Sequence, residues 1–239
     1  VSAPAFVAFD SEKGGTGKST AALSFVSWCA ARGIRTRVID ADASNPDVLR
    51  LCSKLTQCEL INVRDEGGWL RIAEIAEENA KHLRGGAIVL NLPSQVAHSF
   101  PDERQCMYEA LRTLRFRSTL VWVLDTGVDT VNLLAGGMLA AEEFVPSKIA
   151  LRNLRWGNRD DFAVWQNSGT REHFLTVGKE ADFPRLWPPL ADRLRLSGDA
   201  SFLRDRGTPF GLAEFLTIRS WVLKTDDLWD SLRKQVLAA

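Results

Sequence analysis

Apolar residues along this chain fall into short solid runs, separated by longer stretches with helical spacing. The first run is Ala5-Phe6-Val7-Ala8-Phe9. Comparable ones span Ile34 to Asp40, Glu59 to Val63, Ala87 to Leu92, Thr119 to Leu124 and Lys148 to Arg152. Mostly apolar runs of this length, separated by helices, read as strands of a sheet covered on both faces. Between them, helical periodicity covers roughly Lys18 to Arg32, a stretch from about Pro46, then Gly68 to His82, Asp102 to Leu114 and Val128 to Glu142. The alternation predicts an α/β fold: a doubly wound, mostly parallel sheet with helices on both faces. Such sheets bind ligands outside the carboxyl ends of their strands. No repeat, low-complexity tract or linker breaks the pattern. Residues 1–239 therefore read as one domain with a helical C-terminal portion from about residue 198.

The first predicted strand runs into Lys13-Gly14-Gly15-Thr16-Gly17-Lys18-Ser19-Thr20, which opens the first predicted helix. Strand, glycine-rich turn and helix together make a phosphate site. Successive backbone N–H groups wrap the phosphate oxygens, and the helix N-terminus adds partial positive charge. Lys18 is then placed to neutralise the β- and γ-phosphates, and the Ser19 hydroxyl to ligate Mg²⁺. The strict pattern G-x-x-x-x-G-K-[ST] does not fit, because Glu12 stands where its first glycine belongs.

The variant with an extra lysine before the glycines, here Lys13, resembles the deviant Walker A motif of the MinD/ParA family of P-loop ATPases (SIMIBI class). That family includes plasmid-partitioning, division-site and arsenite-pump relatives. The resemblance covers roughly residues 5 to 153. It implies ATP and Mg²⁺ as cofactors, with Gly14, Gly15, Thr16, Gly17, Lys18, Ser19 and Thr20 around the phosphates. It also implies an ATP-dependent homodimer closed face to face, in which Lys13 reaches the nucleotide of the opposite subunit. Such a dimer recruits an activating or cargo partner and positions DNA, a protein complex or a membrane machine.

Three further positions carry the resemblance. The second strand ends Asp40-Ala41-Asp42, which looks like the family's second nucleotide motif. There the later aspartate, Asp42, positions the attacking water and joins the Mg²⁺ shell, although an aspartate at a strand end also caps helices. The strand ending Asn91-Leu92-Pro93 resembles the Walker B strand, with Asn91 at the acidic position. An amide brings a metal oxygen but no charge, so slow or partner-stimulated hydrolysis is expected. Asp125, ending the next strand, either compensates or caps a helix. Asn153, after the strand from Lys148, resembles the residue that reads adenine; asparagine is also a common turn residue.

Composition narrows the partners. Lys+Arg and Asp+Glu balance at 30 each, so no global field draws the chain to nucleic acid or anionic lipid. Arg112, Arg115 and Arg117 form a small basic cluster, read as a solvated helix end before a DNA patch. The N-terminus lacks a basic-then-apolar signal pattern, and no apolar run reaches membrane-spanning length, so a cytoplasmic location is expected. Cys29, Cys52, Cys58 and Cys106 are scattered, against a disulfide framework or zinc site, and three histidines show no ligand spacing.

The last third holds Trp156, Trp165, Trp187, Trp221 and Trp229. Core packing is the first reading and a partner surface the second. Leu212, Phe215, Leu216 and Trp221 are expected on one helix face. Thr225 looks like the N-cap of a closing helix with Leu228, Trp229, Leu232 and Val236 inward. MinD relatives end in a basic amphipathic membrane helix; Asp226, Asp227 and Asp230 here disfavour that role. Two alternatives to a switch ATPase stay open. One is a small-molecule ATP-dependent enzyme like the dethiobiotin-synthetase relatives, which Lys13 opposes. The other is a non-hydrolysing regulatory module, which Asn91 favours.

Overall fold

The computed structural model describes residues 2–141, 145–205 and 209–237. Seven strands form one all-parallel sheet: β1 (Ala5–Asp10), β2 (Thr36–Asp40), β3 (Gln57–Leu60), β4 (Ala87–Asn91), β5 (Arg117–Leu124), β6 (Ser147–Asn153) and β7 (Lys179–Phe183). Their order is β3-β2-β4-β1-β5-β6-β7. The glycine-rich loop follows β1, which lies mid-sheet between β4 and β5. Phe9 pairs in register with Asn91, and Asp40 pairs with the same residue from the other side. The carboxyl ends of β1, β2 and β4 thus meet at one edge, where the sheet rule places a ligand.

The inner strands are buried on both faces because helices cover both, and their residues divide between two cores. Ala5, Val7 and Phe9 join one core; Phe6 and Ala8 join the other. The first core packs under α1 (Lys18–Ala31), α2 (Asp47–Cys52), α8 (Pro188–Ser197) and α9 (Leu212–Ser231), with α10 (Arg233–Val236) closing it. The second lies under α3 (Gly68–Asn79), α4 (Pro101–Thr113), α5 (Val128–Ala141), α6 (Ala163–Gln166) and α7 (Gly169–Val177). The predicted end of α5 at Glu142 lies outside the described residues.

Three of the late tryptophans are core, as the first reading expected. Trp229 packs against Phe25 with ring centroids 5.1 Å apart, and its indole N–H donates to the Ser24 hydroxyl at 3.0 Å. Contacts of this type stabilise by about 0.5–1.5 kcal/mol beyond area burial, and this one ties α9 to the helix that carries the phosphate loop. Trp221 and Trp165 are likewise buried, whereas Trp156 and Trp187 are 43% and 55% exposed.

Several expectations for the last third are corrected. Thr225 caps nothing: α9 runs unbroken through it, and its buried hydroxyl donates to the Val222 carbonyl. Of the residues expected on one face of α9, Leu212 and Leu216 are more than half exposed while Trp221 is buried. Leu228, Trp229, Leu232 and Val236 do face inward. Strand β7 went unread because Lys179-Glu180-Ala181-Asp182 is polar. As an edge strand it carries charges that meet Arg152, Arg159 and Arg171, the usual protection of an open edge. The arginine cluster disperses, since Arg117 turns toward the Leu237 carbonyl at 3.3 Å. All four cysteines are free thiols. Among the described residues no helix is long and apolar enough to cross a membrane.

Candidate nucleotide site

The loop between β1 and α1 takes left-handed backbone at Glu12 (φ 53°), Gly15 (79°) and Gly17 (104°). The strict motif's first glycine is thus replaced without relaxing its conformation. Glu12 adopts it at a cost of about 1–2 kcal/mol. Contacts to the loop after β4 offset that cost: the Glu12 carboxylate accepts from Val96 N–H and its carbonyl from Gln95 N–H, both at 3.1 Å. Asp10, just before, accepts from Ser11 and Glu12 N–H. Burial, then the neighbouring Glu12 carboxylate, raise its pKa to about 6.

Lys18 lies buried under the loop, its ammonium donating to the Lys13 carbonyl at 2.9 Å and the Ser11 hydroxyl at 3.4 Å. Burial lowers its pKa, against the opposing pull of Asp10, Asp42 and Glu12. Gly17 cannot carry a side chain, because a Cβ would lie 2.2 Å from the Asn153 amide nitrogen. That nitrogen donates to the Thr16 carbonyl at 2.7 Å, while the Asn153 oxygen accepts from Arg155 N–H at 3.1 Å. The residue expected at adenine is therefore occupied with bracing the phosphate loop and the turn after β6.

At the metal end, Asn91 is fully buried. Its amide nitrogen donates to Asp40 at 2.9 Å and the Ser19 hydroxyl at 3.4 Å, and its amide oxygen has no hydrogen-bond partner. A buried amide oxygen without a partner, on a side chain whose nitrogen reaches Ser19, is a donor type that a hard cation accepts. Asp40 also accepts from Leu49 and Asp42 N–H, and burial raises its pKa. Asp42 lines the cleft and accepts from Asn45 N–H at 3.2 Å, so it shapes the turn before α2 rather than capping it. Among the described residues no three His, Cys, Asp or Glu side chains converge as a metal cage. Ser19, Asn91 and Asp42 suit Mg²⁺ that takes its remaining ligands from phosphate and water.

Asp125 does not make up for the charge missing at Asn91. It forms an ion pair with Lys13 at 2.8 Å and accepts from Gly127 N–H and the Thr130 hydroxyl. Burial alone would raise its pKa, but the Lys13 ammonium and these donors bring it below the usual value. Lys13 also approaches Asp129 at 3.6 Å, and the Asp125 contact raises its pKa.

The phosphate loop forms one wall of a cleft of about 340 Å³, which continues past Leu23, Leu51, Arg155, Trp156, Leu186 and Arg195. The Trp156 indole N–H points to the Thr16 carbonyl at 3.4 Å, and the Arg155 guanidinium lies 5.6 Å from the indole centroid. Arg155, Trp156 and Leu186 were missed from sequence. Trp156 was grouped with core tryptophans, and Leu186 follows the unread strand β7. The three-residue distance of Trp156 from Asn153 is the one available signal.

Residues 7–118 match the CobQ/CobB/MinD/ParA nucleotide binding domain. Over those residues the chain is similar to the nucleotide-binding domain of MinD/ParA-type P-loop proteins. Protein MobD of Acidithiobacillus ferrooxidans is 25% identical over 184 residues, 76% of each chain. The septum site-determining protein MinD of Pyrococcus horikoshii OT3, complexed with Mg-ADP, superposes with a TM-score of 0.58. It is 12% identical, with 96% of this chain and 97% of that one covered. A ParA family ATPase of Chlorobium tepidum TLS gives a TM-score of 0.57 at 16% identity, covering 92% and 98%. These two likenesses extend the similarity of fold beyond residue 118, through the strands and helices that wall the end of the cleft away from the glycine-rich loop.

Proposed function

We propose that this chain is an ATP-binding, dimerising switch ATPase of the MinD/ParA type that recruits a partner and positions cargo. The observation that carries the reading is the phosphate loop itself: left-handed turns at Gly15 and Gly17, Lys18 buried beneath, and Ser19 in reach of the Asn91 amide nitrogen, whose own amide oxygen is unpartnered. Backbone N–H groups from Gly14 to Thr20 and the Lys18 ammonium hold the phosphates. Ser19, Asn91 and Asp42 hold Mg²⁺, which supplies charge neutralisation on the phosphate oxygens when bound. Asp42 orients the attacking water by hydrogen bonding. The base lies toward Trp156, Arg155 and Leu186. Asn153 serves it from behind by fixing the loop.

Lys13 is held within its own subunit by Asp125 and Asp129. Reaching a second subunit's phosphates requires exchanging those carboxylates for stronger negative charge, so dimerisation is tied to ATP. The α5 face beside it exposes Val128 at 52% and Leu133 at 39%, apolar surface that a second subunit would cover. A slow or non-hydrolysing regulatory module is the second reading, favoured by the uncharged Asn91.

Calorimetry with Mg-ATP tests the site: the wild type is expected to bind, and Lys18→Ala to lose binding because it removes the cation buried beneath the loop. Unchanged affinity would overturn it. Light scattering tests the switch. Lys13→Ala is expected to bind ATP as a monomer and to form no ATP-dependent dimer; a dimer that persists in this variant removes the trans role.

A further inference from the structure

A second concavity of about 340 Å³ lies on the far side of the cleft wall, between the segment after β7 and helix α9. It is lined by Arg185, Leu186, Trp187, Leu216, Thr217, Ser220, Trp221 and Lys224. Its walls mix polar and apolar side chains, and two large apolar ones stand open to solvent: Trp187 is 55% and Leu216 52% exposed. Leu212 and Leu223, 61% and 57% exposed, extend the stripe along α9 with Leu216 and Arg219 at helical spacing. An exposed tryptophan beside a leucine stripe marks a contact surface more often than solvent-facing decoration.

The charge around it is mostly positive, exposed Asp227 apart. Arg185 and Lys224 line the groove and Arg219 interrupts the stripe, and none of the three has an ion-pair partner among the described residues. The neighbouring acids are engaged elsewhere. Glu214 meets Arg193, Asp226 meets Arg204 and Arg32, and Asp230 meets Arg32. The groove therefore combines apolar floor with unneutralised cations.

We propose that this groove docks an acidic, apolar peptide segment of a partner protein, with an apolar side chain against Trp187 and Leu216 and carboxylates on Arg185 and Lys224. A flat anionic lipid surface fits less well. The site is concave, and exposed Asp227, one turn past Leu223 on the same stripe, would be pressed into the headgroups.

The groove also shares a wall with the nucleotide cleft. Leu186 lines both, while Arg185 and Trp187 on either side face the groove. The Trp221 indole N–H donates to the Pro184 carbonyl at 2.9 Å, fixing that segment to α9. A ligand that moves Leu186 moves the groove, so docking reports the state of the cleft. This deepens the partner-recruiting function proposed above and rests on it only for that nucleotide dependence.

Panning a displayed random 12-residue peptide library on the whole chain, with and without Mg-ATP, tests the surface. The expected outcome is an enriched consensus of acidic and large apolar residues. Its synthetic peptide should bind Trp187→Ala and the double variant Arg185→Glu/Lys224→Glu at least about tenfold more weakly than wild type. Both variants should keep wild-type ATP affinity by calorimetry and wild-type circular dichroism. A basic or neutral consensus, no enrichment, or binding indifferent to these substitutions would overturn the proposal. So would sedimentation with anionic vesicles lost in the same variants, which gives the groove to lipid, or self-association lost in them, which gives it to a second copy. Peptide binding without any ATP binding would refute the nucleotide reading and leave the groove standing.

Discussion

The two ends of the cleft are made differently. At the phosphate end, contiguous residues do most of the work: the loop from Glu12 to Thr20 curls on its own backbone, and its dihedral angles follow from glycines at fixed spacing. At the base end, side chains come from β6, from the segment after β7 and from α8, more than a hundred residues downstream. A site made by local backbone is written in a short string. One made by convergence is written only in the fold. Asn153 joins the two, since its single amide braces Thr16 on one side and the Arg155 turn on the other.

The largest expected effect breaks the phosphate end. Gly17→Ala must place a Cβ against the Asn153 amide while holding φ at 104°, a conformation L side chains rarely adopt. Either the loop unwinds or Asn153 is displaced from Thr16. We expect nucleotide affinity to fall by more than about a hundredfold and stability by about 2 kcal/mol. Calorimetry and thermal melts check it. A variant that binds Mg-ATP normally would show that the loop is less constrained than its geometry states.

Trp156→Ala probes the base end and should do less. The indole offers a stacking face near the loop, and base–aromatic stacking is worth about 1–3 kcal/mol, so about tenfold weaker ATP binding is expected. Inorganic triphosphate, which has no base, should bind both proteins alike by the same calorimetry. An equal loss for ATP and triphosphate would mean that Trp156 acts only through Thr16.

What was legible follows the same division. Mostly apolar runs announced the inner strands, because burial on both faces demands them, and the run from Glu59 to Val63 overlapped β3 (Gln57–Leu60) only at Glu59 and Leu60. They missed β7, whose outer position lets it be polar. The loop motif placed Lys13, Lys18 and Ser19 at the carboxyl end of the central strand, and the D-x-D and Asn91 beside them. Pattern could not show where a side chain's hydrogen bonds go. Asn153 faces the loop, Asp125 faces Lys13, and Trp156 and Trp187 lie outside the core that holds Trp165, Trp221 and Trp229. Each depends on a partner distant in sequence, and spacing does not encode it.

Asn91→Asp sharpens the phosphate end with the smallest effect. In the wild type the Asn91 amide nitrogen donates to Asp40 at 2.9 Å, so the pair is neutral plus charged and satisfied on that side. The aspartate variant replaces that donor with an acceptor, and two buried carboxylates at such a separation repel unless a proton or a cation lies between them. Without metal the variant should therefore be less stable than wild type, by on the order of 1 kcal/mol after relaxation. Mg²⁺ with nucleotide should reverse the order, since the added charge lies beside Ser19 where the cation is proposed to bind. The measurement is a pair of thermal melts for each protein, with Mg-ATP and with ATP plus chelator. A larger Mg²⁺-dependent rise in the variant is the expected result, with faster turnover if charge is what limits hydrolysis. Equal rises in both proteins would place the cation away from Asn91, and the orphaned oxygen would then need another partner.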